Sequence, residues 1–161
     1  MKEIYLAGGC FWGVDAYFSQ IDGVITTECG YANGKTDTTT YEELYRTDFA
    51  ETVRVEFDEE IISLENILEN FYYIVDPFSI NKQGNDRGRQ YRSGIYSENE
   101  SDLEFALEFL DKKQKESDEK IVIEVEKLKN YVVAEAYHQD YLKKNPNGYC
   151  HIDLNDKWEE K

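Results

Sequence analysis

Apolar residues along this chain switch between two spacings, and the switches mark out its elements. Residues 3–7 read as a short buried strand; Val14, Tyr17, Phe18 and Ile21 then fall at i, i+3, i+4 and i+7, one face of a helix beginning near Gly13. A β-branched stretch at residues 24–27 predicts a second strand, followed by a turn at Asn33 and Gly34. In "ETVRVEFD", Val53, Val55 and Phe57 alternate with Arg54 and Glu56, the period of a half-buried strand. Leu64, Ile67, Leu68, Phe71, Tyr72 and Val75 form a helical stripe with Ser63 as N-cap, ending near Pro77. Beyond the polar loop "GNDRGRQYRSG", the pattern predicts a strand at residues 93–97, a helix carrying Leu103, Ala106, Leu107 and Leu110, and a strand through Ile121, Ile123 and Val125. The last helical signal, "AYHQDYLKK", stops at Asn145 and Pro146. Helices and strands alternate, but hairpin-like turns intervene, so the expected class is α+β, with helices packed on a mixed β-sheet, rather than a doubly wound fold.

No internal repeat or low-complexity linker interrupts the 161 residues, which predicts one domain over 1–161 with a mobile C-terminal segment, 145–161. A chain of this length buries roughly two-thirds of its unfolded surface, enough for one core. Lys and Arg number 18 against 34 Asp and Glu, a formal charge of -16 that argues against nucleic acid or an anionic membrane as partner and for a monomer. No apolar run approaches the ~18 residues of a membrane span. "MKEIYLAGG" has too short an apolar run for a signal peptide and no small-residue cleavage pattern, so the expected compartment is the cytoplasm.

That compartment gives the cysteines meaning. Cys10, Cys29 and Cys150 are an odd number with no CxxC spacing, so they do chemistry or pack rather than form a disulfide framework. With His138 and His151 the only histidines, no metal site is expected. Cys10, in "GGCFWG", follows a strand and a Gly-Gly pair and precedes a helix, where backbone N–H groups favour a thiolate. Phe11 and Trp12 can supply an apolar wall beside it. A small buried cysteine in a tight turn is an equal reading.

Strand parity supplies a second clue. Glu51 shares the register of Val53, Val55 and Phe57 and so points to the apolar face, where burial raises a carboxyl pKa and makes it a proton donor; the alternative is a solvated residue just ahead of the strand. Cys150, on the Pro- and Gly-containing "NPNGYCH", is either an inert tail cysteine or a mobile thiol able to resolve a sulfenic acid elsewhere. His138 reads as structural, on one helical face with Tyr141 and Leu142; His151 is in position to assist ionisation of Cys150, but a solvated tail histidine is the favoured reading.

Taken together, "GCFWG", "AETVRV", "QGNDRGRQYRSGIY" and "HQDYLKKNPNGYC", in this order from about Ile4 to Cys150, resemble the A-type peptide-methionine sulfoxide reductases. The resemblance implies a ferredoxin-like α+β core and reduction of the S epimer of methionine sulfoxide, free or in proteins. It implies Cys10 as the nucleophile at sulfur, with Glu51, Tyr41 and Tyr91 holding or protonating the oxygen. Phe11 and Trp12 would line the methyl pocket, Asp86 would organise the site by hydrogen bonding, and Cys150 would resolve the sulfenic acid as a disulfide. No bound cofactor is implied; the external reductant would be thioredoxin, or dithiothreitol in vitro. Asp48 and Phe49 stand where many relatives carry Gly-His, and only one late cysteine is present, so a relay through a second recycling cysteine does not operate. Cys29 has no family role and is expected to pack in the second strand. The rival readings are a thiol peroxidase, which also needs a low-pKa cysteine, and a binding module using Cys10, Cys150, His138 and His151 around zinc.

Overall fold

The computed structural model describes residues 1–148 and 151–159. In chain order the elements are β1 (Lys2–Gly8), α1 (Phe11–Ser19), β2 (Val24–Ala32), α2 (Leu44–Thr47), β3 (Ala50–Phe57), α3 (Leu64–Ile74), β4 (Lys82–Gln83), β5 (Asp86–Arg87), β6 (Ser93–Ser97), α4 (Glu100–Lys115), β7 (Glu124–Lys127), β8 (Tyr131–Val133) and α5 (Tyr141–Lys144). The main sheet runs β7-β6-β1-β3-β2-β8, and β4 pairs with β5 as a separate hairpin. Its four central strands, β6-β1-β3-β2, are antiparallel neighbours, with α1 connecting β1 to β2 and α3 lying between β3 and β6: the ferredoxin-like βαββαβ arrangement. β7 joins β6 in parallel after the α4 crossover, which makes the sheet mixed.

The register from Lys2 opposite Phe57 to Leu6 opposite Val53 places Ile4, Leu6, Val53, Val55 and Phe57 on one face. They join Val14, Tyr17 and Phe18 of α1 and Ile67, Leu68 and Phe71 of α3 in the main core. Each such side chain, fully buried, is worth about 1.5–3 kcal/mol. Ser63 caps α3, its hydroxyl accepting the Asn66 amide at 3.1 Å.

Several boundaries differ from the sequence expectation, each for a local reason. α1 starts two residues before Gly13, because Gly9 turns the chain at φ 86° and Cys10 takes the N-cap position. β2 runs on to Ala32, and its last residues pair with β8, a strand the apolar pattern does not announce. In α4, Leu107 is 55% exposed while Phe109 is buried, so the apolar face is rotated from the expected one. β7 begins at Glu124, beyond Ile121 and Ile123. The final helical signal is broken: Ala136–His138 form a 3-10 turn, Asp140 adopts a left-handed φ of 52°, and only Tyr141–Lys144 are α-helical. No helix among the described residues is long and apolar enough to cross a membrane.

Candidate active site

Cys10 ends the turn between β1 and α1, with φ −57° and ψ 120°, and is only 8% exposed. No acidic residue lies in the first turn of α1 and the Cys10 side chain makes no cap bond, so the positive end of the helix dipole faces this position. Gly9 cannot be replaced cheaply: besides its positive φ, a Cβ there would lie 2.5 Å from Cβ of Gln83. Gln83 is fixed in turn, accepting the Asp76 amide at 2.9 Å and donating to the Asp76 carbonyl at 2.9 Å and to Ser93 Oγ at 3.1 Å. The hairpin it starts places Asp86 directly across from it.

Glu51 lies within β3, paired with Tyr31 of β2 and 1% exposed; the reading of a solvated residue ahead of the strand does not hold. Its Oε1 accepts the Phe11 amide at 3.3 Å, tying it to the first residue of the helix that Cys10 caps, and Oε2 has no hydrogen-bond partner among the described residues. Burial drives its pKa up to about 8; the Phe11 amide opposes this and the Asp86 carboxylate adds to it. Glu51 therefore holds its proton at neutral pH.

Tyr41 and Tyr91 come from two 3-10 turns, Tyr41–Glu43 and Arg89–Tyr91, which bring their hydroxyls together. Burial and the nearby Glu51 raise both phenols, which are thus neutral donors facing the same carboxyl. Asp48 and Phe49 have definite jobs. Asp48, at a left-handed φ of 61°, accepts Arg89 Nε at 2.6 Å and Nη2 at 3.2 Å, while its carbonyl accepts Arg92 Nη2 at 2.9 Å. Arg92 also donates to the Arg89 and Asn33 carbonyls, so one buried guanidinium gathers the end of β2, the start of β3 and the turn bearing Tyr91. Phe49 is buried flat over Gly34, where no side chain would fit.

Phe11 is buried against Tyr31 and His138, with ring centroids 5.6 and 5.0 Å away. Trp12 is half-buried; its Nε1 donates to His138 Nδ1 at 2.9 Å and its indole stacks on Tyr141 at 3.7 Å. His138 accepts that proton because burial holds it below the ordinary histidine value, with Glu135 and Glu42 pulling the other way. Glu135 accepts the Tyr31 hydroxyl at 2.7 Å and the Tyr41 amide at 3.1 Å, linking the two aromatic walls. Sequence reasoning grouped His138 with Tyr141 but missed Tyr31 and Glu135 as parts of this framework, because no local spacing signals them. His151 is not a solvated tail residue: both its ring nitrogens are buried, and the ring packs over Gly9. Cys29 is fully buried in β2, as expected. Cys150, the candidate resolving cysteine, lies outside the described residues.

A cysteine at a helix start, a neutral buried acid, two phenols and an aromatic wall together form a site suited to thiol chemistry. The chain belongs to the peptide methionine sulfoxide reductase family, whose pattern matches residues 2–161, and its activity is the reduction of peptide methionine sulfoxide. Within that family it is similar to methionine sulfoxide reductase A of Corynebacterium diphtheriae, at 34% identity and a TM-score of 0.86 over 92% of this chain and 77% of that one. It is also similar to Mxr1 from Saccharomyces cerevisiae in reduced form, at 37% identity and a TM-score of 0.89 over 95% of this chain and 91% of that one. Mxr1 in complex with Trx2 matches at 27% identity and a TM-score of 0.63, over 87% and 84% of the two chains.

Proposed function

We propose that this chain reduces the S epimer of methionine sulfoxide, in proteins or as the free amino acid, and so repairs oxidative damage in the cytoplasm as a monomer. The Cys10 thiolate attacks the sulfoxide sulfur while Glu51 delivers its proton to the oxygen. Methionine leaves, and Cys10 keeps the oxygen as a sulfenic acid. The observation that carries this reading is Glu51: a fully buried carboxyl, protonated up to about pH 8, bonded to the amide next to the nucleophile and with its second oxygen unpartnered among the described residues. Sulfoxide oxygen is a poor leaving group without a proton, and a neutral acid placed where charge develops supplies one.

Tyr41 and Tyr91 orient the S–O dipole as neutral donors. Phe11 and Trp12 take the methyl group, whose burial is worth about 0.8 kcal/mol, with sulfur–aromatic contact adding about 0.3 to 1.5. These apolar terms are the same for methionine and its sulfoxide, so discrimination falls to the oxygen, whose donors stay unpaired when plain methionine enters. Asp86 raises the Glu51 pKa through its charge and so helps keep that acid protonated. Cys150 then attacks the sulfenic acid to give a disulfide and water, and the complex of Mxr1 with Trx2 supports thioredoxin as the dithiol that reduces it, dithiothreitol serving in vitro. A single domain over 1–161, with Cys150 carried on the C-terminal segment next to the His151 that packs over the Gly9 turn, completes the proposal.

The test is a thioredoxin-coupled assay with separated sulfoxide epimers. Turnover of the S epimer alone is expected; equal turnover of both, or turnover of hydrogen peroxide in its place, contradicts the reading. Cys150→Ser is expected to release one equivalent of methionine per enzyme and then stop cycling with thioredoxin, whereas full multiple turnover by that variant rules out Cys150 as the resolving thiol.

A further inference from the structure

After the first half-reaction Glu51 has given up its proton, yet the second half-reaction needs two proton movements. The resolving thiol must lose a proton, and the hydroxide that leaves Cys10 must gain one. We propose that His151 and Asp86 form the proton relay of this recycling step, an inference that rests on the reading above. His151 is the residue after Cys150 in the sequence, and a methyl group built on Gly9, the neighbour of Cys10, would lie 3.2 Å from its Cε1. The imidazole thus faces the turn that carries the nucleophile. Asp86 Oδ2 is shielded from solvent with no hydrogen-bond partner among the described residues, and both His151 nitrogens are shielded as well, with the Gly8 carbonyl the backbone acceptor within reach of the ring. The two side chains lie within electrostatic reach of each other, and Asp86 in turn reaches Glu51.

Buried polar groups are normally bonded, and exceptions cluster where chemistry needs them. Burial lowers the His151 pKa, leaving a neutral base, while the Asp86 carboxylate favours the imidazolium once it forms. Burial likewise raises Asp86, and His151 opposes that shift. The step then balances. The thiol proton passes to His151, the S–S bond forms as the Cys10 S–O bond breaks, and the imidazolium returns the proton to the departing hydroxide, which leaves as water. Cys10 sulfur is reduced from the sulfenic to the disulfide level and the resolving sulfur is oxidised to it.

Two quantities are read on the full chain: the rate of the first equivalent of methionine, and the rate at which the disulfide then forms. H151Q is expected to slow disulfide formation about 10- to 100-fold more than it slows the first equivalent, in keeping with general acid–base catalysis. In H151A, added imidazole is expected to restore much of the lost disulfide rate, which a purely structural role for the ring does not allow. D86N leaves the ring in place but removes the charge facing it, so the pH dependence of disulfide formation is expected to shift downward; Glu51, the other titrating carboxyl beside Asp86, is read separately in the first equivalent. Equal slowing of both steps by H151Q, or no rescue of H151A by imidazole, overturns the relay. A wild-type chain that releases no methionine overturns the underlying reading and the relay with it, and is recognised because the loss precedes the disulfide step.

Discussion

Helix α1 has a cysteine and a carboxyl near its start, Cys10 with Glu51, and a second such pair along its flank, Cys29 with Asp15. All four side chains are buried. The flank pair is saturated: Asp15 accepts the Thr27 hydroxyl and, at 3.1 Å, the Asp140 amide, and the Cys29 thiol reaches both Asp15 and, at 3.8 Å, the Phe11 carbonyl. Burial, with the Asp15 charge close by, lifts the Cys29 thiol well above its ordinary value, so that sulfur stays protonated and inert. The pair at the helix start is the reverse, with one oxygen of Glu51 on a single amide and the other unpartnered among the described residues. Burial therefore does not by itself make a reactive site. What separates the two is whether the carboxyl has spent its hydrogen-bonding capacity on the fold or, in the proposed mechanism, kept it for a substrate.

The sharpest break in this comparison is at the sulfur atoms. Cys10→Ser is expected to abolish methionine formation, while Cys29→Ala keeps the rate per folded molecule and costs about 1 kcal/mol of stability in a denaturant melt; loss of activity in both variants erases the distinction. Next comes Glu51→Gln, expected to slow the first turnover by about 10²–10⁴ with little change in KM. Third, Asp15→Ala is expected to lose about 1–3 kcal/mol of unfolding free energy, because the Asp140 amide is left unpaired, while kcat changes far less than with Glu51→Gln. The smallest effect concerns pH and stability. The folded chain holds the Glu51 proton more tightly than the unfolded chain does, so this group's contribution is full below its ordinary value of 4.5 and is lost as pH rises through about 8. Melts of wild type and Glu51→Gln are therefore expected to converge below about pH 4.5, to separate in favour of the variant as pH rises from there, and to stay fully separated above about pH 8.

Much of this was legible in the sequence because it depends on period. The two-residue alternation of β3 placed Glu51 on the core face, and the strand at residues 93–97 is where the pattern put it. The reactive turn was legible from glycines that only a sharp strand-to-helix bend requires. What stayed hidden depends on contacts between distant segments. The helical pattern of residues 136–144 is overridden at Asp140, whose amide is drawn to Asp15 some 125 residues away. His138, read from the sequence as structural, accepts a hydrogen bond from the Trp12 indole, a contact that no spacing reveals. Asp48, a departure from the usual Gly-His, proves to be the anchor for Arg89 and Arg92, and its partners lie 41 and 44 residues on. His151 looked solvated because it follows a Pro- and Gly-containing segment near the C-terminus, whereas the surface it packs on is the Gly9 turn at the other end of the chain.

The central claim is that Glu51 is a proton donor, and the most direct measurement is the single-turnover rate of methionine formation across pH 6 to 10, in wild type and Glu51→Gln. The wild-type rate is expected to fall as pH rises through about 8, where Glu51 loses its proton, and the variant is expected to be slow with no such step. A wild-type profile without a descending limb near pH 8, or a variant as fast as wild type, contradicts it.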